Sequence, residues 1–346
     1  MVGNSGNASA SLRLCASAVI LFCLGRFRYK SGMNPSDSLS GPLPDSRPLP
    51  ESGHDPVLLQ ETLDLLDPRP GQIIMDCTLG RGGHAGALAQ RLGETGLLLA
   101  LDADPRNLRF ARQRLIQCPC PIRFFHANFA ELSDVLATAG VATVDGILAD
   151  LGISTNQLFE QSYGMSFSQP MPLDMRIDPR TQLSAADVVN HWKPDDLANV
   201  LYQLAQERYS RRIARKIAEA RLASPIMTTD RLAGLVRSAI PLRGGAPERI
   251  DPATRTFLAL RMLVNRELEN LGDLLKAAPK CLKQGGRLAV ISFQSSEDRL
   301  VKQAFRSGHE AGVLKILTKK PLCPTDTETA HNPRSRSAKL RAAEVL

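Results

Sequence analysis

Three carboxylates, each closing an apolar run, are the residues of this chain best placed to do chemistry. They are Asp76 after Ile73-Ile-Met75, Asp102 after Leu97-Leu-Leu-Ala-Leu101, and Asp150 after Gly146-Ile-Leu-Ala149. Between the first two lies Asp76-Cys-Thr-Leu-Gly80-Arg-Gly-Gly-His84, a loop with three glycines. An apolar run, a glycine loop and a second apolar run ending in an acid are the pattern of a βαβ nucleotide-binding unit, whose ligand lies beyond the carboxyl ends of parallel strands. The glycines let the backbone approach a ligand, and the second acid can accept ribose hydroxyls. The loop is not G-x-G-x-x-G and no G-K-[ST] occurs, which favours S-adenosylmethionine over a dinucleotide. In Ala149-Asp150-Leu-Gly-Ile-Ser154 the third acid could serve methyl transfer to an amine. An exocyclic amine conjugated to a base is a weak nucleophile, because its lone pair is delocalised. A carboxylate accepting its N–H restores some nucleophilicity and holds it in line. Two plainer readings compete: the glycines only make a tight turn, and Asp150 is only a helix N-cap. Asp102 weighs against the first, since an acid at that strand end has no evident structural purpose.

These acids need a scaffold that brings strand ends to one rim. The pattern predicts a helix over Gln60–Leu66, strands at Ile73–Cys77, Leu97–Asp102, Ile122–His126 and Gly146–Asp150, and helices between them, one opened by Asp104-Pro105. Alternation then stops. From Ser154 to Ile250 only helical patterns occur (Ala185–Val189, Asp195–Leu204, Glu207–Leu222, Thr229–Ala239), followed by one long helix over Pro252–Leu274. Strand character returns at Arg287–Phe293, then a helix at Ser296–Ser307 and a last strand at Val313–Thr318. The expected fold is α/β, a Rossmann-like doubly wound methyltransferase sheet carrying an inserted all-helical domain. The sheet domain would be residues 53–153 and 251–346, and the insert 154–250.

The 346 residues carry a net charge of +8, which suits a polyanion such as RNA as well as it suits an inert basic surface. Seven scattered cysteines show no metal-ligand spacing; Cys118-Pro-Cys120 is a lone CxC. They point to reduced thiols, a cytoplasmic protein and no metal. Leu12 to Leu24 is apolar but interrupted by Arg13, too short for a membrane span, and Met33 opens a Ser/Pro-rich stretch. Residues 1–52 are therefore expected to be a disordered or non-native extension, with a transit peptide as the alternative. Glu207 to Arg221 is rich in Arg and Lys, so it could lie against phosphates or be a solvated face. Asn332-Pro-Arg-Ser-Arg-Ser-Ala-Lys-Leu-Arg341 has four basic residues and no acid, and reads as an RNA-contacting tail or as disorder.

With these segments in order, the chain resembles the RsmH (MraW) family of small-subunit ribosomal RNA cytosine-N4 methyltransferases. The matching stretches are Gly53-His-Asp-Pro-Val-Leu-Leu-Gln-Glu61, Asp76–His84, Asp145-Gly-Ile-Leu-Ala-Asp-Leu-Gly-Ile-Ser154 and Pro172-Leu-Asp-Met-Arg176. Ala253-Thr-Arg-Thr-Phe257, Ala259–Leu268, Gly285–Phe293 and Asn332–Arg341 complete them. The resemblance implies S-adenosylmethionine as donor, with cofactor contacts at Gly82, Gly83, His84, Asp102, Phe129, Asp150 and Gln157, and Asp150 as the catalytic residue. It implies small-subunit (16S) rRNA or the 30S subunit as partner, no membrane, and a decoding-centre cytidine as target. Thr155, Phe159, Tyr163, Gln294 and Ser296 depart from the family's usual residues. They keep open an alternative, a catalytically weakened rRNA-binding or ribosome-assembly protein on the same fold. A nucleotide-dependent oxidoreductase is a more distant one.

Overall fold

The computed structural model describes residues 56–241 and 251–346. The expected extension 1–52, residues 53–55 and the 242–250 end of the expected insert lie outside the described residues. Helix α1 (Leu59–Leu66) leads into β1 (Ile73–Asp76), α2 (Gly83–Leu92), β2 (Leu97–Asp102), α3 (Pro105–Arg114), β3 (Ile122–His126), α4 (Leu132–Ala139) and β4 (Val144–Asp150). Five helices follow: α5 (Thr155–Phe159), α6 (Ala185–His191), α7 (Pro194–Ala205), α8 (Ser210–Ala223) and α9 (Thr229–Ala239). Then come α10 (Thr254–Val264), α11 (Glu267–Cys281), β5 (Leu282–Ser292), α12 (Ser295–Glu310), β6 (Leu314–Ile316), α13 (Asp326–His331) and β7 (Lys339–Val345).

The strands form one seven-stranded sheet in the order β3-β2-β1-β4-β5-β7-β6. All pair in parallel except β7, which is antiparallel to both β5 and β6. Continuous apolar strands require cover on both faces. Leu98 and Ala100 of β2 pack with Leu63, Leu88 and Leu108 from α1, α2 and α3. Their neighbours Leu99 and Leu101 face the other way, onto Leu132, Leu271, Leu274 and Phe305 from α4, α11 and α12. The chain winds outward in opposite directions from β1, so the crevice between the carboxyl ends of β1 and β4 is the switch point where ligands of such sheets bind. Asp76 and Asp150 end those two strands.

The helices after β4 have a core of their own. Leu197, Leu201, Ile213, Ile217, Leu232 and Val236 pack together with Tyr163 and Met175. Phe257, Leu260 and Leu263 join them, so this core runs past residue 250 to the end of α10. The single helix expected over Pro252–Leu274 is two. Arg266 adopts a left-handed conformation (φ 50°) and divides α10 from α11. The side chain of Asn265 explains the break: its Oδ1 accepts from the Ile177 N–H at 2.9 Å and its Nδ2 donates to the Met175 carbonyl at 2.8 Å. Those bonds fix the helix end against the loop before α6, a tertiary constraint that periodicity does not carry.

The second correction is at the C-terminus. Residues 339–345 are neither tail nor disorder but β7, wedged between β5 and β6 with Leu340, Ala342 and Ala343 fully buried. Arg341, 6% exposed, is no RNA contact; its guanidinium pairs with Asp298 at 2.7 Å. Among the described residues no helix is long and apolar enough to cross a membrane.

Candidate active site

Asp76 and Asp150 face one crevice. The Cys77 N–H bonds the Leu148 carbonyl at 2.9 Å and the Asp150 N–H donates to Thr78 Oγ1 at 2.6 Å, which stitches the two strand ends together. Asp76 accepts from the Thr78 N–H through Oδ1 at 3.1 Å, while its Oδ2 is buried with no partner among the described residues. Asp150 Oδ1 is buried without a partner among them too, and its Oδ2 lies 3.6 Å from His84 Nδ1. His84 Nε2 is 3.0 Å from the Val57 carbonyl, which turns the ring toward Asp150. Asp150 is not the N-cap of α5. Ser154 is, in a capping box with Gln157.

Burial governs the protonation of these acids. Loss of water pushes Asp76 up to about 7. It pushes Asp150 to about 8, with further upward pressure from the charges of Asp76 and Glu297. The Asp150 side chain keeps 21% of its surface open, so the carboxyl exchanges protons with solvent. Buried acceptors left unmade are costly, and two in one crevice mark a polar site that a ligand completes.

Asp102 has the structural purpose that the sequence did not reveal. Its Oδ2 accepts from the Gly80 N–H at 2.7 Å and from Asn107 Nδ2 at 3.3 Å, and its Oδ1 from the Asp104 N–H at 2.8 Å. It therefore ties the glycine loop to the end of β2. A carboxylate has about four lone-pair positions, so one remains for a ligand hydroxyl. Burial raises Asp102 to about 7 in spite of these bonds. Gly82 caps α2 with φ 80°, and a Cβ there would stand 3.1 Å from Leu115; one on Gly83 would stand 3.2 Å from Pro56. Replacing Asp102 with alanine removes the loop tether and the spare acceptor together. Donor affinity measured by calorimetry is then expected to fall about tenfold to hundredfold, the worth of one or two charged hydrogen bonds.

Phe129 begins a 3-10 turn just beyond β3, beside the end of β2, and is half-buried. Glu131 fixes that turn by accepting from the Asn128 N–H at 2.6 Å, and Arg180, from the loop before α6, holds Glu131 at 2.9 Å. Gln157 lies at the start of α5, next to the residues that support Asp102. It is 3% exposed, and both ends of its amide are committed: Oε1 accepts from the Ser154 N–H at 3.0 Å and Nε2 donates to Asp104 Oδ2 at 2.9 Å. The Tyr163 hydroxyl donates to the same Asp104 oxygen. Gln157 is thereby linked through Asp104 to Asp102, and its amide keeps a second N–H and a second lone pair for a ligand. Four further residues belong to the site. Asp76 shares the strand-end signal of Asp102 and Asp150 and could have been included. Asp104 and Tyr163 could not, since only the fold brings them together. Glu297, which accepts from the Phe293 and Gln294 N–H groups at 2.9 Å, had only its capping-box spacing to announce it.

Comparison with known proteins decides the family. The family described as "MraW methylase family" matches residues 51–346. The chain belongs to the MraW methylase family. The ribosomal RNA small subunit methyltransferase H of Koribacter versatilis is 47% identical over 86% of this chain and 95% of that protein. The protein of the same name from Solibacter usitatus is 47% identical over 84% and 99%. That from Syntrophotalea carbinolica is 44% identical over 85% and 98%.

As a methylase of this family the protein uses S-adenosylmethionine as methyl donor, and the crevice suits it. The donor presents a sulfonium, an ammonium and a ribose diol; the crevice offers the unpartnered oxygens of Asp76 and Asp150 and the spare acceptor position of Asp102. The N-terminus of α2, at Gly82 and Gly83, suits the donor's carboxylate.

Proposed function

We propose that this protein transfers a methyl group from S-adenosylmethionine to the exocyclic N4 amine of a decoding-centre cytidine in small-subunit (16S) ribosomal RNA. The observation that carries the reading is Asp150, a partly buried carboxyl at the switch point with one buried oxygen unsatisfied, in a chain of the MraW methylase family. The donor would supply an electrophilic methyl on a sulfonium: the new C–N bond forms as the methyl–sulfur bond breaks, the neutral thioether S-adenosylhomocysteine leaves, and one amine proton passes to Asp150 and on to solvent. The protein orients the amine. Asp150, ionised, accepts an N–H, draws the nitrogen lone pair out of the ring and fixes its direction. Asp102 and Phe129 would hold the ribose and base of the donor, Gly82 and Gly83 its approach, and His84 the orientation of Asp150. Methylation at a ring carbon would instead need a nucleophile that adds to the base. Cys77, the cysteine adjacent to Asp76, is buried and its thiol is pushed well above its ordinary value, so it supplies no thiolate.

The target base must leave its stack to reach Asp150, and the RNA around it needs a surface. We assign that surface to the helices of residues 154–250. Helix α8 and its approach expose Arg208, Arg211, Arg212, Arg215 and Lys216. Replacing Arg211, Arg212 and Arg215 with alanine is expected to weaken RNA binding and to reduce the dependence of log affinity on log salt by roughly one for each phosphate left unneutralised. A filter-binding series in salt checks this. On this reading the protein works where small-subunit rRNA is assembled, in the cytoplasm.

The test of the reading is transfer of an isotope-labelled methyl group from S-adenosylmethionine to small subunits, or their rRNA, lacking the modification. Incorporation is expected. RNA that binds and stays unmethylated would instead make this an assembly factor.

A further inference from the structure

Phe159 and Arg334 form a pair that the donor crevice does not use. Phe159 ends α5, the helix that starts five residues after Asp150, and it is 56% exposed. Arg334 lies in the 3-10 turn Pro333–Ser337 that leads into β7. Because β7 runs antiparallel to β5 with Lys339 opposite Ser292, the residues before Lys339 emerge at the carboxyl edge of the parallel strands. Asp150 lies on that edge, opposite Ile291 of β5. There the Arg334 guanidinium carbon sits 5.2 Å from the centroid of the Phe159 ring, and Arg334 Nη1 donates to Thr155 Oγ1.

The charge of this arginine is unanswered. Among the described residues no carboxylate pairs with Arg334, and its partial burial lowers its grip on its proton. At Glu160, the C-cap of α5, the situation is opposite. Arg106 also lies over an aromatic ring, that of Tyr163, but Glu160 neutralises it at 2.5 Å and Tyr163 is buried. One pair is closed and satisfied. The other is an open aromatic ring with an uncompensated cation behind it, at the rim of a crevice that must receive a base.

We propose that Phe159 and Arg334 are the subsite for the single-stranded nucleotide next to the target cytidine, its base stacked on the open face of Phe159 and its phosphate held by Arg334. This rests on the RNA-methylating function proposed above. Pulling one base out of a stack strips its neighbour of a stacking partner. An aromatic ring backed by a guanidinium at the crevice mouth replaces that partner, whatever the base. An ammonium would hold the phosphate as a point charge but would cover the ring less well.

The experiment is a kinetic series on small-subunit rRNA with Phe159→Ala, Phe159→Leu, Phe159→Trp, Arg334→Ala and Arg334→Lys, with donor affinity measured on each variant. Phe159→Ala and Phe159→Leu are expected to raise KM for RNA about tenfold, with kcat and donor Kd unchanged. Phe159→Trp should restore KM. Arg334→Ala should raise KM and flatten its salt dependence, with Arg334→Lys between. An unchanged KM in Phe159→Ala overturns the subsite, and so does a donor affinity that falls in step with KM, since the pair would then merely brace the crevice. If the unaltered protein methylates no RNA, the functional reading fails, and the subsite is judged by the tryptophan fluorescence that Phe159→Trp adds to that of the native Trp192, with the unaltered protein as control and a short single-stranded oligoribonucleotide as probe. Quenching supports it and its absence overturns it.

Discussion

Replacing Asp150 with asparagine is expected to slow methyl transfer at least about a hundredfold and, in the same protein, to raise the unfolding temperature at pH 8. The loss follows from chemistry. Asparagine keeps the shape and still offers a carbonyl acceptor, but it carries no negative charge to draw the N–H of a delocalised amine. The gain follows from linkage. The Asp150 carboxyl moves from an ordinary value of 3.8 to about 8 on folding, because it is stripped of water and set near Asp76 and Glu297. Below 3.8 both folded and unfolded chains hold the proton, and nothing is lost. Between 3.8 and 8 the unfolded chain ionises while the folded one does not, so stability falls as pH rises, by at most about 1.4 kcal/mol per pH unit. Above 8 the deficit is constant. Asparagine abolishes it, so the difference between variant and parent should widen from pH 4 to pH 8 and then level. A functional group that the fold would be more stable without is the signature of a site. Thermal unfolding across pH and a single-turnover methylation assay check both halves. The same ionisation should make the methylation rate of the parent rise with pH toward a plateau.

Alanine at Gly164 is expected to destabilise the helical region by more than about 3 kcal/mol. Gly164 has φ 63°, where a side chain is strained, and a Cβ would fall 2.0 Å from the Pro172 carbonyl oxygen and 3.0 Å from the Asp174 nitrogen. Neither neighbour can yield. The Pro172 carbonyl accepts from the Asp174 N–H at 3.0 Å, Leu173 N–H bonds the Met227 carbonyl at 2.9 Å, and Met175 N–H bonds the Tyr163 carbonyl at 2.8 Å. Displacing this turn pulls Tyr163 from Asp104, and with it the support of Gln157 and of the backbone that meets Asp102. Folded variant, if recovered, should show a lower melting temperature and weaker donor binding. Glycine is required here by backbone oxygen, so serine should be no better than alanine.

The sheet was legible because its strands are apolar runs with acids at one end. Leu97–Asp102 and Ile122–His126 stand where the pattern puts them. β7 was hidden by composition: Lys339, Arg341 and Glu344 make it look solvated, yet Arg341 is buried by pairing with Asp298 and the small residues Ala342 and Ala343 fit between β5 and β6. The break at Arg266 was hidden because its cause, Asn265, acts on residues about ninety positions earlier. In the site the same division holds. Strand-end acids and the glycine loop announce themselves locally. The commitment of Gln157 and Tyr163 to Asp104, and the three N–H groups that converge on Asp102, exist only after folding. A single carboxylate can be both brace and ligand acceptor, and sequence spacing does not separate the two roles.

In the proposed mechanism Asp150 presents an exocyclic amine to the methyl donor. Locating the new methyl group tests this role. Small subunits methylated by the protein with isotope-labelled donor are digested to nucleosides and fragmented by mass spectrometry. Label is expected in N4-methylcytidine, on the exocyclic nitrogen, at a rate that falls at least about a hundredfold when Asp150 is asparagine. Label on the cytosine ring carbon or on a ribose hydroxyl, or N4-methylcytidine formed at the parent rate by the asparagine variant, would contradict it.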